Sequence, residues 1–255
     1  MCSMEIQQYQ NKLVIQPNAL VNARYHLSMD EKKLVLMALS QIMAIDDPTI
    51  EQVAQSQYYD IDLKKLHQLS EEKIEYKEYA RRMRATVREL FDRKIVLDST
   101  KSVDWIRWIT QIRWHLNQTT IQIKLSNEIM PLLVGIQSEF TACKLKNMIL
   151  LRSPVSIRLY ELLQQYEQFR TRTISVTELR DMFDLDGKYN RVNQFVTRLI
   201  NPAIEDINKN TNMKIEELQR HHFLKDGRAI TAITFDFKLR KGTTNKQSAV
   251  SSRRK

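Results

Sequence analysis

One predicted helix carries cations at a spacing suited to binding a polyanion. Over residues 71 to 92, apolar side chains recur at helical spacing and would face a core, while basic side chains occupy the other face. The cations on one stripe, at offsets of four, seven and eleven residues, are Lys77, Arg81, Arg84 and Arg88, with Arg82 close by. Cations this close repel one another unless acidic groups or phosphates neutralise them. We therefore expect phosphate contacts; the alternative is a solvated face partly offset by Glu75, Glu78 and Glu89.

A second predicted helix, over residues 190 to 209, has a similar buried stripe but a different exposed face. Its exposed polar residues are Asn190, Arg191, Asn193, Gln194, Thr197 and Arg198. These side-chain types read base edges, since arginine pairs with guanine and asparagine or glutamine pairs with adenine. Lys188 and Tyr189 precede the helix, where phosphate contacts would fix its register. The sequence therefore predicts a base-reading face; the alternative is an ordinary polar surface.

Two local signals accompany this second helix. Pro202 lies inside it and has no amide hydrogen, so we expect a kink or an interruption of the hydrogen bonding there. Further along the chain, Asp226-Gly227 is a strong signal for a tight turn between two strands. Lys225 and Arg228 flank that turn and would contact phosphate or the minor groove, although charged turn residues are often only solvated.

The elements that must position these faces occur in the same order twice. Ser28 with Glu31 forms a capping box ahead of a helix, and Ser175 with Glu178 forms another ahead of a short helix. Asp62 is placed to cap the matching short helix of the first half. Each half reads as helix, short strand, helix, helix and hairpin, which is the winged-helix arrangement. The sequence predicts an α+β, mostly helical chain with two tandem winged-helix domains.

The predicted domain limits follow from this repeat and from the composition of the chain ends. We expect a flexible leader at residues 1–17, a first winged-helix domain at 18–135, a second at 136–238 and a disordered basic tail at 239–255. A cap followed by proline at Ser153-Pro154 opens the first long helix of the second domain. Neither chain end is expected to join a core.

The composition favours a polyanionic partner and excludes several classes of site. The formal charge is +10 and the sequence pI is about 9.5. Two cysteines cannot build a disulfide framework or a four-thiolate zinc site, and four scattered glycines cannot form a phosphate-binding loop. No apolar run approaches the roughly 18 residues of a membrane span. We therefore expect a cytoplasmic, non-enzymatic protein without catalytic residues, metal or cofactor and without membrane contact.

Two other groups of residues were weighed as sites. His221-His222 lacks the spacing of the paired histidines that hold metal in nicking enzymes, so a catalytic role is not expected. Trp105, Trp108 and Trp114 could stack on bases, but within alternating hairpins we expect them to pack in the core and sheet.

The chain resembles the theta-type plasmid replication initiators, a family with tandem winged helices, from about Asn18 to Phe237. The residues that carry the resemblance are Asn18-Ala19-Leu20, Tyr25, Glu31-Lys32-Lys33-Leu34, Tyr160-Glu161-Leu162-Leu163, Phe195 through Arg198, Pro202-Ala203-Ile204 and Ile207-Asn208. The resemblance implies that monomers bind direct repeats (iterons) of double-stranded DNA at a bacterial plasmid origin, help to open the duplex and recruit the host replication initiator and helicase.

The resemblance also implies a second role. Dimers formed largely through the first domain, in equilibrium with monomers, would bind an inverted repeat near their own promoter and repress transcription. One alternative is a winged-helix transcriptional repressor without a replication role. Another is a rolling-circle enzyme that nicks DNA, against which the missing paired metal-binding histidines argue.

Overall fold

The structure is a computed structural model that describes residues 12–42, 58–98, 102–114, 119–129, 133, 140–185 and 187–240. Along these residues, helices with one apolar face and strands with alternating burial meet in a continuous hydrophobic cluster. Within the same parts of the chain, none of the helices combines the length and the apolar character needed to cross a membrane.

The first winged-helix unit has the predicted order of elements together with several additions. Up to residue 150 the elements are β1 (Leu13–Pro17), α1 (Asn18–Asn22), β2 (Arg24–Tyr25), α2 (Met29–Ile42), β3 (Tyr59–Asp62), α3 (Leu63–Ser70), α4 (Tyr76–Asp92), β4 (Lys94–Asp98), β5 (Val103–Arg107), β6 (Ile109–Trp114), β7 (Thr120–Leu125), β8 (Phe140–Lys144) and α5 (Leu145–Leu150). The winged helix itself consists of α2, β3, α3, α4 and the hairpin β6–β7.

The second winged-helix unit repeats this order with fewer additions. Its elements are α6 (Pro154–Gln164), β9 (Thr171–Ser175), α7 (Val176–Met182), α8 (Val192–Phe195), a π-helical turn (Val196–Ile200), α9 (Asn201–Asn210), β10 (Met213–Ile215), a 3₁₀ turn (Arg220–His222), β11 (Phe223–Asp226) and β12 (Ala229–Leu239). The predicted hairpin is present as β11–β12, and residues 216–222 connect β10 to β11.

The two units use the same strand pairing. In the first, β3 pairs antiparallel with β7, and Ile61 lies opposite Ile121. In the second, β9 pairs antiparallel with β12, and Ile174 lies opposite Ile233. All four isoleucines are buried, so each sheet packs one apolar face against the helices of its unit. The predicted fold of two tandem winged helices is confirmed.

Side-chain caps begin the helices where the sequence predicts them. The Ser28 amide donates to Glu31 Oε2 at 2.6 Å, and the Glu31 amide donates to Ser28 Oγ at 3.3 Å. Asp62 Oδ1 accepts hydrogen bonds from two backbone amides in the first turn of α3. Ser175 and Glu178 form the second reciprocal box. These bonds satisfy amides that a helix leaves unpaired at its N-terminus.

Both predicted chain ends are shorter than expected. The leader was predicted to reach residue 17, but residues 13–17 form β1, which pairs antiparallel with β8 and buries Val14 and Gln16 completely. The predicted tail likewise starts too early, since Leu239 belongs to β12 and the Arg240 amide donates to the Asn212 carbonyl. Residues 1–11 of the leader and residues 241–255 of the tail lie outside the described residues. So do most residues around the 135/136 boundary, which stays a prediction.

Two predictions about the first unit need correction. The helix predicted from residue 71 begins at Tyr76, because Glu71 adopts a left-handed conformation (φ 52°) that ends α3. Trp105 does not pack in the core: it lies on β5, and 68% of its surface is exposed. Its strand pairs with β4 in a separate three-stranded sheet, β2–β4–β5, that the sequence pattern did not predict. Trp108, by contrast, is fully buried.

A buried polar cluster joins α2 of the first unit to α6, which opens the second. Lys32 Nζ lies 2.8 Å from Glu161 Oε1 and donates to the Tyr25 hydroxyl at 2.7 Å. Gln16 Nε2 donates to Glu161 Oε1, and Arg158 Nη1 donates to the Tyr25 hydroxyl, both at 2.7 Å. Burial alone would lower the pKa of Lys32, but the Glu161 carboxylate raises it. The lysine therefore stays charged inside the protein.

Candidate nucleic-acid interface

The basic face of α4 lies on the protein surface. Lys77, Arg81 and Arg88 are exposed and Arg84 is half-buried. The opposite face buries Tyr79, Ala80, Met83, Val87 and Leu90. In the described parts of the chain, no carboxylate lies within ion-pair distance of Lys77 or Arg81. Their charges are therefore available to an anionic ligand.

Arg82 is set apart from this face. Its Nε lies 2.7 Å from Asp30 Oδ2, and its Nη2 donates to Glu72, which also pairs with Lys33 at 2.9 Å. Burial alone would raise the pKa of Glu72, but the hydrogen bonds from Arg82 and Lys33 lower it. Carboxylates of α2 and of the α3–α4 connection thus pair with this guanidinium, whereas no carboxylate of the described residues pairs with Lys77 or Arg81.

The hairpin β6–β7 contacts this face through Trp114 and carries a further exposed cation. The Arg88 guanidinium lies 5.2 Å from the centre of the Trp114 ring, which is half-buried on β6. The neighbouring Arg113 is exposed, and its Nη2 donates to the Tyr58 hydroxyl at 2.8 Å. Sequence reasoning assigned tip cations only to the second hairpin and missed Arg113. The internal repeat was the available signal, because it makes β6–β7 the wing of the first unit.

The predicted base-reading side chains lie together at the start of the second unit's third helix. Those that are exposed are Asn190, Arg191, Asn193, Gln194, Thr197 and Arg198, and Lys188, predicted to contact phosphate, is exposed just before them. The Thr197 hydroxyl donates to the Asn193 carbonyl at 2.8 Å, so its methyl group and its lone pairs remain for a ligand. Donors and acceptors on one exposed face can read base edges in a major groove.

Tyr189 differs from the other residues predicted in this region. Its side chain is half-buried against the hydrophobic cluster, and its backbone is left-handed (φ 55°). Its carbonyl accepts a hydrogen bond from Arg180 Nη2 at 2.7 Å. Part of this ring is thus used for packing, which reduces the surface that could contact phosphate.

Pro202 changes the hydrogen bonding of this helix, as predicted. Residues Val196–Ile200 form a π-helical turn, after which the Asn201 amide bonds to the Val196 carbonyl and Pro202 enters the first turn of α9. A π turn adds one residue to a helical turn and shifts the faces on either side of it. Phe195 and Ile200 are accordingly buried, whereas Leu199, predicted in the buried stripe, is only half-buried.

The tip of the hairpin β11–β12 carries the predicted wing cations. Asp226 pairs with Ala229 and ends β11, so the two-residue turn is Gly227-Arg228, one residue later than the predicted Asp226-Gly227, with Gly227 at φ 57°. Arg228 is exposed in the turn, and Lys225 is exposed near the end of β11. The strand register shifts between Leu224 and Lys225, and this irregularity changes the direction of the hairpin tip. The tip therefore presents two cations on a projecting hairpin, a geometry suited to DNA backbone contacts.

One group of side chains near the 3₁₀ turn could in principle hold a metal ion. Glu216, His222 and Asp236 bring one potential ligand atom each within 4.8 Å of the others. However, His222 Nδ1 accepts a hydrogen bond from the Gln219 amide at 2.8 Å. The proton of a neutral imidazole is then on Nε2, which lies 3.4 Å from Asp236 Oδ2. Binding a metal at Nε2 would require moving this proton to Nδ1 and losing the hydrogen bond from the Gln219 amide, so the hydrogen bonding of His222 disfavours a metal here.

Comparison with known proteins matches both units. The family model described as "Initiator Replication protein, WH1" matches residues 13–164, and "Initiator Rep protein, WH2" matches residues 175–237. An Escherichia coli "Replication initiation protein" is 27% identical over 214 residues, which span 80% of this chain and 64% of that protein. An Escherichia coli "Uncharacterized 27.6 kDa protein" is 23% identical over 209 residues, which span 78% of this chain and 85% of that protein.

The fold agrees with a solved initiator. The crystal structure of the Pi initiator protein in complex with iteron DNA superposes with a TM-score of 0.73 at 22% identity, covering 91% of this chain and 99% of that one. The two family models together cover both winged helices and the strands around them. The chain therefore belongs to the family of replication initiator proteins with two tandem winged-helix domains.

Proposed function

We propose that this chain is a plasmid replication initiator without enzymatic activity. It binds direct repeats of double-stranded DNA at an origin in the bacterial cytoplasm, promotes opening of the duplex and represses its own transcription. The observation that carries the proposal is the pair of exposed faces at equivalent places in the two units. The α4 face offers cations, and the α8 face offers the side chains that read bases.

The two faces have different roles in DNA recognition. Lys77, Arg81, Arg84 and Arg88 contact phosphates and supply affinity that depends on salt rather than on sequence. Arg191, Asn193, Gln194 and Arg198 enter a major groove and supply the preference for one sequence. The Pi initiator, which has the same fold, was crystallised in complex with iteron DNA, and this supports the proposal for the present chain.

Binding to DNA is tested by fluorescence anisotropy at several salt concentrations. The probes are duplexes from the DNA flanking the coding sequence of this chain and a scrambled duplex of the same composition. We expect a preference for one flanking fragment of about 10³-fold or more. Equal and steeply salt-dependent binding to both would reduce the chain to a nonspecific basic protein, and no binding to either would exclude DNA binding.

An initiator differs from a repressor in what it does for a plasmid. The bound fragment is placed on a plasmid that lacks any other origin, and the protein is expressed from the host chromosome. We expect replication of that plasmid only when the protein is present, and reactivity of unpaired thymines to permanganate beside the repeats. Repression of a reporter without replication would favour a transcriptional repressor, and nicked circles in the presence of a divalent metal would contradict the absence of enzymatic activity.

Autoregulation requires a dimer, and the first unit supplies a surface that supports one. β5 is the edge strand of the sheet β2–β4–β5, and Val103 and Trp105 on it are 61% and 68% exposed. An edge strand with exposed apolar side chains can pair with the same strand of a second copy. We infer that monomers and dimers exchange through β5. Trp105→Ser should shift sedimentation towards the monomer, and an unchanged dimer fraction would exclude this surface.

Recruitment of the host replication initiator and helicase completes the proposed role. It is tested by adding purified host initiator and helicase to the protein bound at an opened origin. Helicase loading that requires this chain is expected. Loading that proceeds equally without it would remove this part of the proposal.

A further inference from the structure

The turn between α7 and the base-reading helix has an unusual backbone. Residues 183–191 connect Met182 to Val192, and within this turn Asp184, Gly187 and Tyr189 have positive φ angles of 52°, 69° and 55°. Glycine adopts this conformation freely, but a bulky residue such as tyrosine rarely does so. Such a backbone persists only where the surrounding structure holds it, and it is most common at functional sites.

Arg180 on α7 holds this turn. Its Nη2 donates to the Tyr189 carbonyl at 2.7 Å and to the Asn190 carbonyl at 3.0 Å. These carbonyls belong to the last residues before Arg191, which precedes the first turn of α8. Hydrogen bonds from a charged donor to two adjacent carbonyls fix both the position and the direction of this backbone segment.

The same guanidinium also contacts the base-reading helix. Arg180 Cζ lies 5.6 Å from the centre of the ring of Phe195, which is fully buried. Arg180 on α7 therefore contacts both the turn and α8. The Arg180 Nε is buried away from solvent, so this end of the guanidinium faces the protein rather than a DNA groove.

We propose that Arg180 is a positioning residue for DNA recognition: it holds the turn at Tyr189 and Asn190, and this sets the angle at which Arg191, Asn193 and Gln194 meet the bases. The inference rests on the proposed function, because it requires a DNA sequence to be read. A face that contacts phosphates tolerates small rotations, since charge attraction is weakly directional. A face that reads base edges does not, since each hydrogen bond has a narrow range of distance and angle.

The test uses Arg180→Met in the full chain, which removes the hydrogen bonds while keeping most of the side-chain volume. Anisotropy is measured on the flanking repeat duplex and on the scrambled duplex, with thermal unfolding followed by circular dichroism. We expect binding to the repeat to weaken by roughly 10-fold or more, as when a base pair is no longer read. Binding to the scrambled duplex should stay within about 2-fold, and the salt dependence of log K should keep its slope because no phosphate contact is lost.

Arg220→Met is the matched control, because Arg220 is an exposed arginine of the same unit outside the predicted interface. It should leave the preference for the repeat unchanged. Arg180→Lys provides a second variant if Arg180→Met unfolds. A lysine keeps the charge but lacks the planar fork, so we expect it to lose preference for the repeat as well.

The outcomes separate this inference from the proposed function. A parallel loss on both duplexes, or a salt slope reduced by about one, would identify Arg180 as a phosphate contact and overturn the positioning role. Full preference retained by both Arg180 variants would also overturn it, with the proposed function intact. A wild-type protein that binds the repeat and scrambled duplexes equally would overturn the proposed function and this inference together.

Discussion

The third helices of the two winged-helix units differ although the units share one order of elements. In the first unit α4 is an uninterrupted helix of 17 residues whose exposed face is cationic. In the second, α8 is followed by a π turn and by Pro202 in α9, and the exposed face mixes amides with guanidinium groups. The turn that precedes the helix differs as well, since only the second unit has an arginine holding a left-handed tyrosine there.

On the proposed function, the difference corresponds to what each helix would contact. Phosphate binding depends mainly on charge and distance, so a regular helix with a cationic stripe is sufficient. Base reading depends on direction, so the helix must be held at one angle and one rotation. On the proposed function, the same scaffold supports one helix for affinity and one for sequence preference, and the irregular backbone occurs in the helix that would need a fixed orientation.

The largest expected effect tests the change in buried side chains that the π turn introduces along the helix. Phe195→Ala should lower the free energy of unfolding by about 3–5 kcal/mol, because it removes a fully buried ring and leaves a cavity. Leu199→Ala should cost about 1 kcal/mol, since Leu199 is only half-buried. Urea unfolding of both variants measures the two values. Equal losses would mean that the helix continues as a regular α-helix in solution.

The next effect separates the two faces by sequence preference. Arg198→Ala should weaken binding to the repeat duplex by roughly 1–3 kcal/mol and leave binding to the scrambled duplex nearly unchanged, because a base contact is removed. Anisotropy at one salt concentration measures both. The same loss on both duplexes would place Arg198 on phosphate and remove the contrast between the two helices.

A smaller and more uniform effect is expected on the cationic face. Lys77→Ala should weaken binding to every duplex to a similar extent and reduce the salt slope by about one, because one phosphate contact is lost. A salt titration on the repeat and scrambled duplexes measures the slope. A loss confined to the repeat would show that α4 reads sequence as well.

The smallest effect concerns Glu72, the carboxylate that pairs with Arg82. Although burial alone would raise the pKa of Glu72, hydrogen bonds from Arg82 and Lys33 hold it below its usual range. The folded state therefore binds fewer protons there than the unfolded state. The stability from this group is complete above the unfolded pKa of about 4.3 and is lost as the pH falls through the lower folded value.

Glu72→Gln checks this expectation. The variant should be less stable than the wild type by about 0.2–1 kcal/mol at pH 7, since the ion pairs are partly exposed. The difference in thermal unfolding should be complete above about pH 4.3 and disappear as the pH falls through the lower pKa of Glu72 in the folded state. A difference independent of pH would mean that Glu72 stabilises the protein through packing rather than through its charge. Its ion pair with Arg82 would then make no measurable contribution to stability.

Elements with a local signal could be predicted from the sequence. The caps at Ser28, Asp62 and Ser175 depend on residues two or three positions apart, and the hairpin around Gly227 depends on neighbouring residues, although its turn lies one residue later than predicted. These signals, repeated in order, were enough to predict both winged helices. The exposed faces of the two long helices followed from periodicity alone.

Features that depend on distant residues could not be predicted. β1 pairs with β8 across more than a hundred residues, so nothing near residue 13 distinguishes a strand from a flexible leader. Trp105 was assigned to a core because its strand alternates, but which sheet the strand joins is decided by β4. Arg180 carries no motif, because its role consists of contacts with backbone carbonyls.

The buried cluster of Lys32, Glu161, Arg158 and Tyr25 has a consequence for the length of DNA that the protein accepts. If both units bind one duplex, they face the same side of it only at a fixed number of base pairs. Inserting about five base pairs between the contacted segments turns one of them by half a helical turn. To follow it, the units would have to break the buried contact between Lys32 and Glu161, which opposes the rearrangement. On the proposed function, we therefore expect the protein to select DNA by the spacing between two contacted segments as well as by their sequence.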